Sequence, residues 1–236
     1  MAYSAEIFTA GIVVLGDFNP AIFSPDWLER NGLMGQADAE FASKSESLVL
    51  SRQVAIVDSP WFVLQVVEDQ FSLTGKGALT PALRDLASGI FSLLSHTPVR
   101  ALGMNFMGHY KIHDTAAYHK FGDVLAPKGP WEAACGIDGN VAIGLTNMSV
   151  RIQEGTRDSS PVTSNAVNIS VQPSTVVQPT GIYFQYNDHR DIAAAASDKL
   201  ISPANVVVDV LDGEWEPSWH LSSALFSNLL TEAIGE

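Results

Sequence analysis

The sequence predicts an α+β fold, a mainly antiparallel curved sheet carrying its helices on one face. Three observations carry that expectation. Hydrophobic residues make up 46% of the 236 and charged residues 17%, enough apolar surface for a sizeable core and too little charge for disorder. Apolar runs of strand length, bounded by Asn, Asp, Gly and Pro, recur along the whole chain. Longer segments with the i, i+3, i+4 spacing of a one-stripe helix interrupt them.

Ile7 to Leu15 is the first strand, so continuously apolar that both faces should be covered, and Gly16-Asp17-Phe18-Asn19-Pro20 ends it. Ser24 then caps a short helix, with Pro25 at the first helical position and Asp26 and Glu29 near the positive end of its dipole. Gly35 to Ser47 is polar and weakly patterned, as a loop would be. Leu48 to Val57 and Trp61 to Leu73 read as two strands joined at Asp58-Ser59-Pro60. Pro81 opens the clearest helix of the first half, its stripe formed by Leu83, Leu86, Ala87, Ile90, Leu93 and Leu94.

Val99 to Ile112 is the next strand, and Asp114 caps a helix carrying Ala117, Tyr118 and Phe121. Ala126 to Gly139 reads as a structured loop. Val141 to Gln153, Ala166 to Gln172 and Gly181 to Tyr186 are strands, with a polar hairpin tip over Glu154 to Asn165. The alanine-rich Asp191 to Leu200 is helical by propensity, Asn205 to Leu211 reads as a last strand, and Trp219 to Ile234 is an amphipathic helix. The halves thus run β-α-β-β-α and β-α-β-β-β-α, with a further strand and helix at the end. Two α+β units are expected, residues 1–98 and 99–236, repeated in element order and sharing one continuous sheet.

The net charge of −13, from 26 acidic against 13 basic residues without a basic cluster, weighs against general nucleic-acid binding and suits solubility or steering of a basic partner. Cys135 is alone, so no internal disulfide forms, and a reducing compartment follows. The first six residues lack a basic leader region and no apolar run is long enough to span a bilayer, so a cytoplasmic protein is expected.

Chemistry is harder to find. No Gly-x-Ser-x-Gly elbow, phosphate-binding glycine loop or dinucleotide fingerprint occurs. His109, His113 and His119 are weak metal candidates, with Asp114 among them. His109 and His113 lie four residues apart along a strand, about 13 Å, too far to share an ion whose ligand nitrogens sit at ~2 Å. Asp188 and His189 have the form of an acid–base pair at a pocket mouth, but Asp191 or Asp188 capping the alanine-rich helix explains the same run. Cys135, among small residues, has no cation nearer in sequence than Lys128 to activate it. Trp131, Trp215 and Trp219 fall in expected loops or helix starts, where a large ring plugs a sheet end or anchors a partner.

Three stretches, Gly16 to Leu28, Phe62 to Val66 and His96 to Phe106, resemble a sporadically distributed, uncharacterised family of bacterial hypothetical proteins of similar length. The resemblance carries no catalytic residues. Sporadic occurrence implies an accessory role, such as phage defence or one member of a toxin–antitoxin pair.

The expectation is therefore a non-catalytic protein-interaction or accessory subunit without a cofactor, holding a protein partner through its acidic surface. Self-association is left open. The alternatives are a small-molecule binder or metal-dependent hydrolase with a pocket between sheet and helices, rimmed by His109, His113, Asp188 and His189, and a phage structural component.

Overall fold

The first strand, β1 (Ile7–Gly16), alternates instead of being covered twice. Ala10, Ile12 and Val14 are buried on one face, while Val13 is half-buried and Leu15 exposed on the other. Continuous hydrophobicity does not require two cover layers; here the helices supply one. The chain is known from a computed structural model that describes residues 3–77, 81–136, 141–153 and 165–235.

After β1 a 3₁₀ turn (Pro20–Ile22) leads into α1 (Pro25–Arg30), capped as expected by Ser24, whose Oγ accepts from the Trp27 N–H at 3.1 Å. The segment expected as a loop contains α2 (Gln36–Lys44). Its only buried side chains are Ala39 and Ala42, too short a stripe to stand out from the sequence. The Asp38 carboxylate accepts from Trp61 Nε1 at 3.0 Å and pins this helix to the sheet. Each of the next two expected strands divides. Leu48 to Val57 becomes β2 (Val49–Leu50) and β3 (Val54–Asp58), with the Ser51 hydroxyl holding the turn through the N–H groups of Gln53 and Val54. Trp61 to Leu73 becomes the hairpin β4 (Phe62–Val67) and β5 (Gln70–Gly75), turning where Glu68-Asp69 goes polar. Helix α3 (Pro81–Leu93) follows, burying Leu83, Leu86, Ala87, Ile90 and Phe91 and leaving Leu93 half exposed.

The second half opens with β6 (Val99–Lys111). Asp114 caps α4 (Thr115–Leu125) through the Ala117 N–H at 2.7 Å. The expected loop from Ala126 contains α5 (Lys128–Cys135), ended by Gly136 at φ 62, while residues 137–139 lie outside the described residues. Residues 141–147 are irregular and the strand β7 (Met148–Gln153) is shorter than expected; β8 (Ala166–Pro173) and β9 (Gly181–Asp191) complete the sheet. Of the expected hairpin tip over Glu154 to Asn165, all but Asn165 lies outside the described residues. Asp191 caps α6 (Ile192–Lys199) through the Ala194 N–H at 3.0 Å.

The Val-rich Asn205 to Leu211 is not a strand. It is the first part of one helix, α7 (Pro203–Ile234), which runs through Pro217 to the predicted C-terminal helix. Val207, Leu211, Trp215, Ser218, Ser222, Phe226, Leu230 and Ala233 form its buried stripe, at spacings of three and four residues. The stripe of a 32-residue helix, about 48 Å long at 1.5 Å per residue, overrides the strand preference of four valines.

Among the described residues nine strands form one open antiparallel sheet, in the order β2-β3-β4-β5-β1-β6-β9-β8-β7. The first strand of each half lies at the centre, β1 beside β6, and each half then runs outward from its last strand. One row across the sheet joins Val57, Leu64, Leu73, Ile12 and Met104 to Asp188, all buried, so the helix-covered face is apolar up to that carboxylate. No helix among the described residues is long and apolar enough to cross a membrane.

Candidate interaction surface

The sheet separates the residues that sequence spacing had grouped. Along β6, Leu102, Met104, Phe106 and Tyr110 face the helices, so His109 points to the other, helix-free face. There its ring packs on Tyr183, directly across on β9, with centroids 4.8 Å apart. Its Nδ1 lies 2.8 Å from Ser174 Oγ. That oxygen already accepts N–H bonds from Val176 at 3.2 Å and Val177 at 2.8 Å, so its hydroxyl proton goes to His109 Nδ1. Ser174 thus holds the turn before β9. His109 is an acceptor there, and burial lowers its pKa.

His113 lies beyond the strand end, 3.1 Å from Asp114 Oδ2. His119 sits on α4 and lines a cleft of about 230 Å³ with Tyr118, Asp123, Lys128 and Ile182. Ile182 belongs to the helix-covered face of β9, so the sheet lies between His119 and His109. The three histidines do not converge. No group of three His, Cys, Asp or Glu among the described residues is placed to hold a metal ion.

Asp188 and His189 part in the same way. The strand β9 continues to Asp191, so the two are neighbours on an extended chain and face opposite sides. Asp188 is 3% exposed beneath α7, where it accepts from Arg190 Nε at 2.7 Å, Arg190 Nη2 at 3.0 Å and the Ser218 hydroxyl. Arg190 also approaches Glu214 at 3.5 Å. This network ties β9 to α7. Helix capping falls to Asp191 alone, and Arg190 is part of the network instead of solvating a turn.

On the helix-free face, His189 stands near a hydrogen-bonded row of amides. Asn168 Nδ2 donates to Asn187 Oδ1 at 3.3 Å, Asn187 Nδ2 to Asn105 Oδ1 at 2.9 Å, and Asn105 Nδ2 to the Gly103 carbonyl at 3.2 Å. Cross-strand register aligns the three, and Arg151 of β7 stands next in the row. The alternation of Tyr183, Gln185, Asn187 and His189 with Ile182, Phe184 and Tyr186 was the signal for this face, and ending the strand at Tyr186 hid it.

Of the three tryptophans proposed as partner contacts, two are structural. Trp215 is 1% exposed and packs on Phe106 at 5.0 Å; Trp219 is half-buried and stacks on Phe8 at 5.3 Å. Both lie within α7, where the helix stripe carries them inward. Trp131 differs. It lies on α5, which buries none of its side chains, and is 58% exposed. With Ala126, Cys135 and residues 143–147 it lines an open depression of about 430 Å³ that leads into β7. Val124, Val141, Val150 and Ile152 are exposed in the same part of the sequence, and Cys135 is exposed at the end of α5.

The class that fold and surface define is an open, helix-backed antiparallel sheet with an apolar corner at its β7 end that the described residues leave exposed. No protein-family model matches the chain, and no curated protein is significantly similar to it.

Proposed function

We propose that the chain is a non-catalytic protein-interaction subunit whose contact surface is the corner formed by α5, residues 141–147 and β7. The observation that carries this reading is Trp131, a large ring left in water on a helix that buries nothing. Such a ring is the usual anchor of a protein interface, and burying it against a partner would remove apolar area that the fold leaves exposed. The acidic balance supports a basic partner. Asp209, Asp212, Glu214 and Glu216 crowd one stretch of α7, with Arg84 drawn among Asp85, Asp212 and Glu216. Charge of one sign steers encounter more than it holds the complex, so association should slow as salt rises.

The test is binding of purified products of adjacent genes to the chain and to Trp131→Ala, followed by Trp fluorescence and titration calorimetry. The reading expects a complex that Trp131→Ala weakens at least about tenfold, the size of an anchor residue's contribution. A complex indifferent to Trp131, or none with any such product, would sink it.

A further inference from the structure

We infer that β7 is a self-pairing edge, joining two copies of this chain into one continuous antiparallel sheet about a two-fold axis at Val150. The inference rests on the reading that the β7 end is the contact surface and names a second copy as the occupant of the strand itself.

The two ends of the sheet are built differently. Open edges present unpaired backbone N–H and C=O groups, and proteins protect them with very short strands, charge, proline or bulges. The β2 edge is two residues long, which is such protection. The β7 edge is six residues long, in unbroken register with β8 from Met148 to Gln153, with no proline and Arg151 as its one charge. Ser149 to Ile152 are exposed in succession, so neither face nor edge of this stretch is covered by the described residues.

The strand is also complementary to itself. Two copies related by a two-fold axis through the sheet keep their helices on the same side, so the axis must pass at a residue, with like faces opposed. At Val150 the pairs are Val150 with Val150, Met148 with Ile152, and Ser149 with Arg151. Apolar side chains meet apolar ones, and each guanidinium meets a hydroxyl. Moving the axis to Arg151 puts two guanidinium groups opposite each other, which is unfavourable. Charge agrees with this choice of partner: β7 and β8 carry no acidic residue in a chain that has 26, so the paired strands themselves add no acid–acid repulsion between two chains of charge −13. One six-residue strand pair buries less than the roughly 1,200 Å² of a standard stable interface, so the dimer should dissociate on dilution.

Sedimentation velocity of the wild-type chain over a wide concentration range, together with oxidative cross-linking, tests this. In a Cys135→Ser background, Val150→Cys sets two thiols opposite each other at the ~5 Å Cα spacing of an antiparallel pair, within the reach of a disulfide. The expected result is a mass rising from 25.3 kDa towards twice that value, with Val150→Cys cross-linking efficiently and Ser149→Cys poorly. Val150→Lys should weaken the dimer at least about tenfold by opposing like charges, with an unchanged circular dichroism spectrum. A wild-type chain that stays at 25.3 kDa throughout overturns the inference, as does preferential cross-linking through Ser149→Cys. A monomer that still binds a partner through Trp131 would separate the failure of this inference from that of the reading beneath it.

Discussion

Asp188 is a buried charge, and what surrounds it decides how the chain responds to its loss. Arg190 keeps 24% of its side chain in water and has Glu214 within 3.5 Å, whereas the Asp188 side chain is 5% exposed. Removing the aspartate leaves a cation that can reach solvent; removing the arginine leaves an anion with only the Ser218 hydroxyl. Arg190→Ala should therefore cost more than Asp188→Asn, the former about 3 kcal/mol or above and the latter nearer 2. Urea denaturation of both variants checks the order, and the reverse order would contradict this account of the network. Tyr186 makes the opposite point. Its hydroxyl is buried without a hydrogen-bond partner among the described residues, and burial pushes its pKa up to about 12. Deleting that oxygen leaves no partner stranded, so Tyr186→Phe should be neutral or stabilising by up to about 1 kcal/mol. A loss above that size would reveal a partner. His109 adds a pH dependence. Burial lowers it from its usual 6.5, so the unfolded chain takes the proton more readily than the folded one. Stability from this residue is present above pH 6.5 and is lost as the pH falls through the lowered folded value. Denaturation at about pH 8 and about pH 5.5 should show a smaller acid loss for His109→Gln than for wild type; equal losses would contradict it.

At the scale of elements, caps and long apolar stripes were legible in the sequence and short or uniformly decorated segments were not. Ser24, Asp114 and Asp191 accept the N–H bonds that their positions implied. Helix α2 escaped because two alanines are all it buries, and α5 because it buries nothing, so neither leaves a periodic trace. The valines before Leu211 favoured a strand, and only the full stripe from Val207 to Ala233 shows the helix; Pro217 and Gly213 interrupt the pattern where the eye would extend it. The same limit applies to the candidate site. Spacing grouped His109, His113 and His119, but the pleat of β6 and the passage to α4 put the first and last on opposite sides of the sheet. Trp131, Trp215 and Trp219 look alike in sequence as candidate partner contacts, and exposure alone separates the first from the other two. The turn from Ser174 to Gly181 shows what sequence leaves hidden: a Cβ at Gly181 would lie 1.8 Å from the Val177 carbonyl oxygen. Gly181→Ala must open that turn, and about 1–3 kcal/mol of lost stability is expected, read as a lower thermal midpoint. An unchanged midpoint would mean the turn relaxes freely.

For the molecule as a whole, the arrangement of strands matters more than any single side chain. Placing β1 and β6 at the centre lets each half build outward, and the half that ends in β7 has a six-residue strand at its rim, four of its residues exposed, where the other has a two-residue strand. Helices α3 and α7 pack on the apolar face, and the buried Asp188 carboxylate there accepts from Arg190 and Ser218. Among the described residues the apolar corner around Trp131 and the β7 edge beside it stay exposed. The most direct measurement is amide hydrogen exchange, mapped by mass spectrometry on the wild-type chain at low and high concentration. Pairing of two copies through β7 predicts that peptides covering 148–153 gain protection as concentration rises, while those covering β3 to β5 do not change. Protection that stays constant at 148–153, or that rises at β3 to β5 instead, would contradict it.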